Sequence, residues 1–194
     1  MANFFDIAGE EFGGNTGDFQ QGNVESYGFI NLDPGTSHGA CYALSVLWMI
    51  QHKKKENFFD WVKRPSGIKA MNNLFCTSIS VQSQDNHMNK YLENNGLARR
   101  IIGDAPRKKY EPDEFAMQII KENGYKNIGY LGNEGGHAVA AIILDNESKF
   151  FDPNYGQVSF RSKINLAYWY VKWWKSNNFY KSSLNRAAEI FNFA

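Results

Sequence analysis

Three residues carry the chemistry that this sequence offers. Cys41 opens an apolar run, Ala-Cys-Tyr-Ala-Leu-Ser-Val-Leu-Trp-Met; His137 stands in Gly-Gly-His-Ala-Val-Ala-Ala; Asp152 stands in Phe-Phe-Asp-Pro-Asn-Tyr-Gly. Covalent thiol catalysis needs a thiolate as nucleophile, an imidazole to hold or shuttle its proton, and a carboxylate or amide to fix the imidazole tautomer. The residues therefore read as a cysteine hydrolase, and within that class as a protease. Taken singly, a cysteine in an apolar helix is most often a small core residue, and an Asp before Pro is ordinarily a turn residue. The three together, in the order Cys, His, Asp and each in a suitable local setting, reverse that balance.

Those settings come from the elements that must position the side chains. From Gly39 to about His52 the apolar residues fall on nearly every side, which predicts a buried central helix. Thr36 and Ser37 are available as caps ahead of it and put Cys41 in the first turn, where backbone N–H groups and the helix dipole favour a thiolate. His137 begins the most apolar strand, directly after two glycines that allow close backbone approach. Asp152 ends the next strand. Because end and start positions of adjacent antiparallel strands are neighbours, the sheet is expected to present His137 and Asp152 on one edge, facing the helix start that carries Cys41.

The rest of the chain supplies the frame. Residues 1–38 read as a loop-rich arm packed by scattered aromatics, with a short strand at Tyr27 to Ile30, ahead of a catalytic domain over 39–194. Asn57 to Phe75 predicts two short helices broken at Pro65-Ser66-Gly67, Gln84 to Asn95 a further helix, and Pro112 to Asn123 an amphipathic one stopped by Gly124. Four short strands are expected at Tyr125 to Leu131, His137 to Leu144, Lys149 to Asp152 and Gln157 to Phe160, making a small antiparallel sheet. Ser162 caps a helix through about Lys175, rich in Trp169, Trp173 and Trp174, which read mainly as core. A last helix is expected over Ser182 to Phe193. The fold class is α+β.

Composition excludes several functions. A chain of 194 residues, 43% hydrophobic, can build one substantial core, and Lys plus Arg at 21 against Asp plus Glu at 20 leave no overall bias toward nucleic acid or an anionic membrane. Short basic runs such as Lys53-Lys54-Lys55 and Arg107-Lys108-Lys109 read as solvated faces, and His52 and His87 as surface residues. Four scattered histidines and two cysteines offer no zinc spacing, so no metal or organic cofactor is implied. Cys41 and Cys76 are too few for a disulfide framework, and pairing them would abolish the nucleophile. The N-terminal residues form neither a Sec signal peptide nor a membrane anchor, which implies a cytosolic working environment and leaves specialised bacterial secretion open.

The runs Gly39 to Trp48, Gly136 to Ala141 and Phe150 to Gly156 resemble the YopT and AvrPphB family of bacterial effector cysteine proteases. The resemblance spans about Gly39 to the helix after Phe160, with its motifs in those three segments. It implies a papain-like fold, Cys41 as nucleophile, His137 as general base and acid, and Asp152 as the group orienting the imidazole. It also implies secretion from a bacterium and a host protein substrate in the host cytosol. The chain is short ahead of Cys41, so a long self-cleaved N-terminal segment is not expected. Asn31, Thr36, Ser37 and His38 are the side chains near enough in sequence to complete an oxyanion hole.

The same three residues also allow transglutamination, acyl transfer or deamidation, depending on which acyl donor enters and whether water or an amine meets the thioester. A non-catalytic module that occupies a host protein is the alternative of a different class. Residue types do not separate these, nor do they define substrate sequence or oligomeric state.

Overall fold

The computed structural model describes residues 8, 11–17, 19, 40–80, 84–133 and 135–194, with side chains except at 75–80 and 84–88. The strand expected at Tyr27 to Ile30, the caps Thr36 and Ser37, and the side chains of Cys76 and His87 lie outside this. In chain order the elements are β1 (Asn15–Gly17), α1 (Ala40–Lys53), α2 (Phe58–Trp61), α3 (Pro65–Ser80), α4 (Gln84–Asn94), β2 (Arg99–Lys108) and α5 (Pro112–Ile120). They continue as β3 (Gly124–Leu131), β4 (Gly136–Leu144), β5 (Glu147–Asp152), β6 (Gly156–Phe160), α6 (Lys163–Ser176), α7 (Asn178–Ser183) and β7 (Ala187–Phe193).

A seven-stranded sheet in the order β1-β6-β5-β4-β3-β7-β2 organises the described residues, and every pairing in it is antiparallel. Strand alternation divides the side chains between two cores. Val139, Ala141, Ile143, Phe150 and Val158 pack with Leu166, Trp169, Tyr170, Trp173 and Tyr180 of α6 and α7. Ala140, Ile142, Phe151 and Phe193 pack on the other face with Leu44, Leu47 and Trp48 of α1. Both faces of β4 are thus covered by helices, which is why this strand reads as a continuous apolar run from Ala138 to Leu144. This mixed helix and antiparallel-sheet arrangement is an α+β fold.

Local signals explain most boundaries. Asn57 caps α2 through its Oδ1, which accepts the Phe59 N–H at 2.9 Å. Ser162 caps α6 in the same way, with Ile164 N–H as donor at 3.2 Å. The two helices expected over Asn57 to Phe75 are α2 and α3, but the break falls at 62–64 and Pro65 begins α3, because a first-turn proline gives up an N–H that has no intrahelical partner.

Two further expectations are corrected. Residues 182–193 are not a helix: α7 ends at Ser183 and Ala187–Phe193 is strand β7, inserted between β3 and β2. Alternation decides this, since Ala188, Ile190 and Asn192 are buried while Ala187, Glu189 and Phe191 are only partly so. The sheet is also larger than four strands, with β2 forming an edge against β7. Of β2 only Ala105 is buried, and its register shifts on either side of that residue, so no period-two apolar pattern marks it.

Candidate active site

Cys41 is the second residue of α1, at the helix end that abuts the start of β4. Two contacts to Ala138 hold it there. Ser45 Oγ donates to the Ala138 carbonyl at 3.1 Å, and the Ala138 N–H donates to Cys41 Sγ at 3.4 Å. A helix that is buried nearly all round can be anchored this way because one small polar residue, Ser45, faces the strand backbone.

His137 comes from the same strand end. Its Nε2 lies 2.8 Å from Asp152 Oδ1, and the ring also hydrogen-bonds Cys41. With Nε2 engaged by the carboxylate, Nδ1 is the nitrogen left for the sulfur. The pairing register Ala140↔Phe151 explains the reach: continued along both strands it sets Asp152 across from Val139, diagonal to His137 on the same face. The structure therefore brings together all three side chains that the sequence singled out.

Asp152 is fully buried, and a carboxylate in that position requires donors. Oδ1 also accepts the Asn154 N–H at 2.8 Å, an Asx turn made by Asp152-Pro153-Asn154. Oδ2 accepts the hydroxyl of Tyr180 at 2.5 Å. Gly156 closes this hairpin at φ +111, and Tyr155 N–H donates to the Asp152 carbonyl.

These partners set the protonation of the imidazole. Burial alone pulls the His137 pKa down, but the adjacent Asp152 carboxylate, helped by Cys41, outweighs it and pushes the value up to about 10. At neutral pH the favoured form is thus an imidazolium between two groups that carry or can take negative charge. The phenol of Tyr180 is pushed upward by burial first and by Asp152 second, so it stays protonated and remains a donor.

Tyr180 is the site residue that the sequence did not reveal. It reaches Asp152 from α7, on the opposite side of the sheet from α1, and packs edge-on to His137 with ring centroids 5.9 Å apart. Its neighbour Phe179 lies 6.0 Å from the imidazole on a ring edge and is 39% exposed, so it roofs His137 against solvent. The one local signal is Asn177, whose Oδ1 accepts the Tyr180 N–H at 3.4 Å and starts the short helix that aims both rings.

A cleft of about 300 Å³ runs beside the sulfur, lined by Cys41, Tyr42, Gly129, His137, Phe191 and the Arg107–Glu189 ion pair among others. Gly129 faces Glu189 across the strands. The proposed oxyanion side chains Asn31, Thr36, Ser37 and His38 lie outside the described residues. Among the described residues no cluster of His, Cys, Asp and Glu could hold a metal ion.

Comparison with known proteins places the chain in a family. Residues 6–194 match the model of the Peptidase_C58 family, described as Yersinia/Haemophilus virulence surface antigen. The chain belongs to this family. Cysteine protease yopT1 of Yersinia enterocolitica is 26% identical over 184 residues, covering 81% of this chain and 57% of the relative. Cysteine protease YopT of Yersinia pestis is 24% identical over 169 residues, covering 75% of this chain and 52% of its own length. The chain thus spans little more than half of these relatives. The crystal structure of the Pseudomonas avirulence protein AvrPphB superposes with a TM-score of 0.61 at 15% identity, covering 86% of this chain and 98% of that one, which establishes the shared fold.

Proposed function

We propose that this protein is a cysteine protease whose nucleophile is Cys41, whose general acid and base is His137, and whose orienting carboxylate is Asp152. The observation that carries this reading is the hydrogen-bonded line from Cys41 through the His137 ring to Asp152, 2.8 Å at its second link. The names of its family relatives support the same class.

In this mechanism the Cys41 thiolate attacks the carbonyl carbon of a peptide bond. The tetrahedral oxyanion forms at the start of α1, where first-turn N–H groups are the donors that developing charge needs. The His137 imidazolium, kept protonated by Asp152, gives its proton to the leaving amine. Water then attacks the thioester while neutral His137 takes its proton, and Cys41 is released with the acid product. The Asp152 carboxylate keeps its place throughout, held by the Asn154 N–H and Tyr180 hydroxyl.

The working setting, by analogy with the named relatives, is that of a bacterial effector, delivered by a specialised secretion system and cutting a host protein in the host cytosol. The test is a comparison of wild type and Cys41→Ala incubated with host-cell lysate, followed by N-terminal labelling and mass spectrometry. New protein N-termini that depend on Cys41 support proteolysis. Cys41-dependent crosslinks, or a gain of about one dalton at glutamine, replace it with the transferase or deamidase use of the same thioester. A cellular effect that survives Cys41→Ala points to a binding module.

A further inference from the structure

A second cavity lies away from Cys41, at the other end of α1. It encloses about 750 Å³ between the last turn of α1, the loop into α2, and the sheet positions Tyr125, Leu144, Glu147, Lys149 and Gln157. Along an α-helix, Cys41 and His52 are separated by roughly 16 Å at 1.5 Å per residue, so this space is distinct from the catalytic cleft.

Its floor is aromatic, with the half-buried Phe59 facing the space and Trp48 and Phe58, 2% and 3% exposed, lying beneath it. Trp48 stacks on Phe151 at 5.3 Å and 15° and donates its indole N–H to Gln157 Oε1 at 2.9 Å, while Phe58 and Phe59 close one side. Its wall is a fixed polar network. His52 Nε2 lies 2.8 Å from Glu147, His52 Nδ1 lies 3.1 Å from the Tyr125 hydroxyl, and Lys149 completes an ion pair to Glu147 at 2.7 Å. His52 is therefore not the surface residue that the sequence suggested.

Charge at this cavity is unevenly spread. Burial pulls the His52 pKa down against the pull of Glu147, so the ring is neutral at neutral pH, donates from Nε2 and accepts from Tyr125 at Nδ1. Lys149 balances Glu147. What remains at the mouth is Lys53, whose Nζ sits 5.7 Å from the Tyr125 ring centroid, and Lys55 and Glu56, all on the turn that ends α1. The mouth thus carries two cations and one anion over an aromatic floor.

We propose that this cavity is a second binding site, for a small anionic aromatic molecule whose ring lies against Phe59, above the edge of Trp48, and whose acid group faces Lys53 and Lys55. Aromatic contact supplies the affinity and the lysine mouth the sign of charge selected. Nothing in the proposal requires the protease reading.

The probe is 8-anilinonaphthalene-1-sulfonate, with neutral N-phenyl-1-naphthylamine as its uncharged counterpart, titrated into the whole chain. Binding is read from probe fluorescence, and its place from the Trp48 indole N–H signal in nitrogen-15 spectra, assigned with Trp48→Phe. The expected result is a shift of the Trp48 signal by the sulfonate, unchanged in Cys41→Ala. Lys53→Glu with Lys55→Glu is expected to weaken the sulfonate about tenfold, equivalent to about 1.4 kcal/mol, and to leave the neutral probe within about twofold. Both lysines are exposed, so the double variant folds. Sulfonate binding that leaves Trp48 unmoved, or equal weakening of both probes, overturns the proposal.

Discussion

The hydroxyl of Tyr180 donates to Asp152 Oδ2 at 2.5 Å, so the carboxylate that holds His137 is itself held from the far side of the sheet. Cys41 and Tyr180 approach the catalytic line from opposite helical layers, one from α1 and one from α7. The proposed active site is therefore where the two cores meet, at the open end of the β4–β5 pair.

Tyr180→Phe removes that donor and keeps the ring among Trp173, Trp174 and Tyr130. A hydrogen bond to a buried charge contributes about 1.5–3 kcal/mol, so urea denaturation is expected to show a loss in that range. Turnover is expected to fall with little change in KM, because Tyr180 acts on Asp152 rather than on substrate. A rise in KM with unchanged turnover would argue for a role in substrate binding instead.

Asp152→Asn tests the carboxylate charge at nearly constant shape. The Asn154 and His137 donors can still meet an amide oxygen, and Tyr180 can turn to accept from the amide nitrogen. Without the charge that raises it most, the His137 pKa is expected to drop well below about 10, as read by NMR titration of its ring protons. A titration midpoint left in place would show that Asp152 does not set the protonation of His137.

Stability should depend on pH through the same histidine. Its folded pKa of about 10 exceeds the ordinary value of 6.5, so its contribution is complete below pH 6.5 and is lost as pH rises toward 10. Wild type is expected to lose melting temperature relative to His137→Gln across that window, and to lose none of the difference below it. Parallel melting curves over the whole window would contradict the raised value.

Gly156→Ala should damage the hairpin that carries Asp152. The position has φ +111, and a Cβ would meet the Gly17 carbonyl oxygen at 2.3 Å and the Phe19 nitrogen at 2.9 Å. Backbone strain and a clash with backbone atoms together are expected to cost more than about 2 kcal/mol, with activity falling alongside. Thermal unfolding of this variant against wild type measures it.

Much of this site was legible in the sequence because its three principal residues sit at element ends with strong local signals. An all-apolar helix, a Gly-Gly entry to an apolar strand and an Asp-Pro-Asn-Tyr-Gly turn each specify where a side chain points. Tyr180 was not legible, since its role depends on α7 folding back across the sheet, and nothing in Asn-Phe-Tyr-Lys encodes that distance. Strand β7 is hidden in the sequence for a related reason. Ala187-Ala188-Glu189-Ile190 suits a helix by propensity, and only the slot between β3 and β2 makes it a strand. His52 was misplaced because its two partners, Tyr125 and Glu147, come from strands remote in sequence.

Whether His137 activates Cys41 is decided by alkylation of Cys41 with iodoacetamide across pH, read by peptide mapping in wild type and His137→Ala. Cys41 in the wild type is expected to be labelled at about pH 6 much faster than a simple thiol such as N-acetylcysteine, and His137→Ala to slow that labelling sharply. Labelling no faster than the simple thiol, and indifferent to His137, would contradict the triad and leave Cys41 as a core residue.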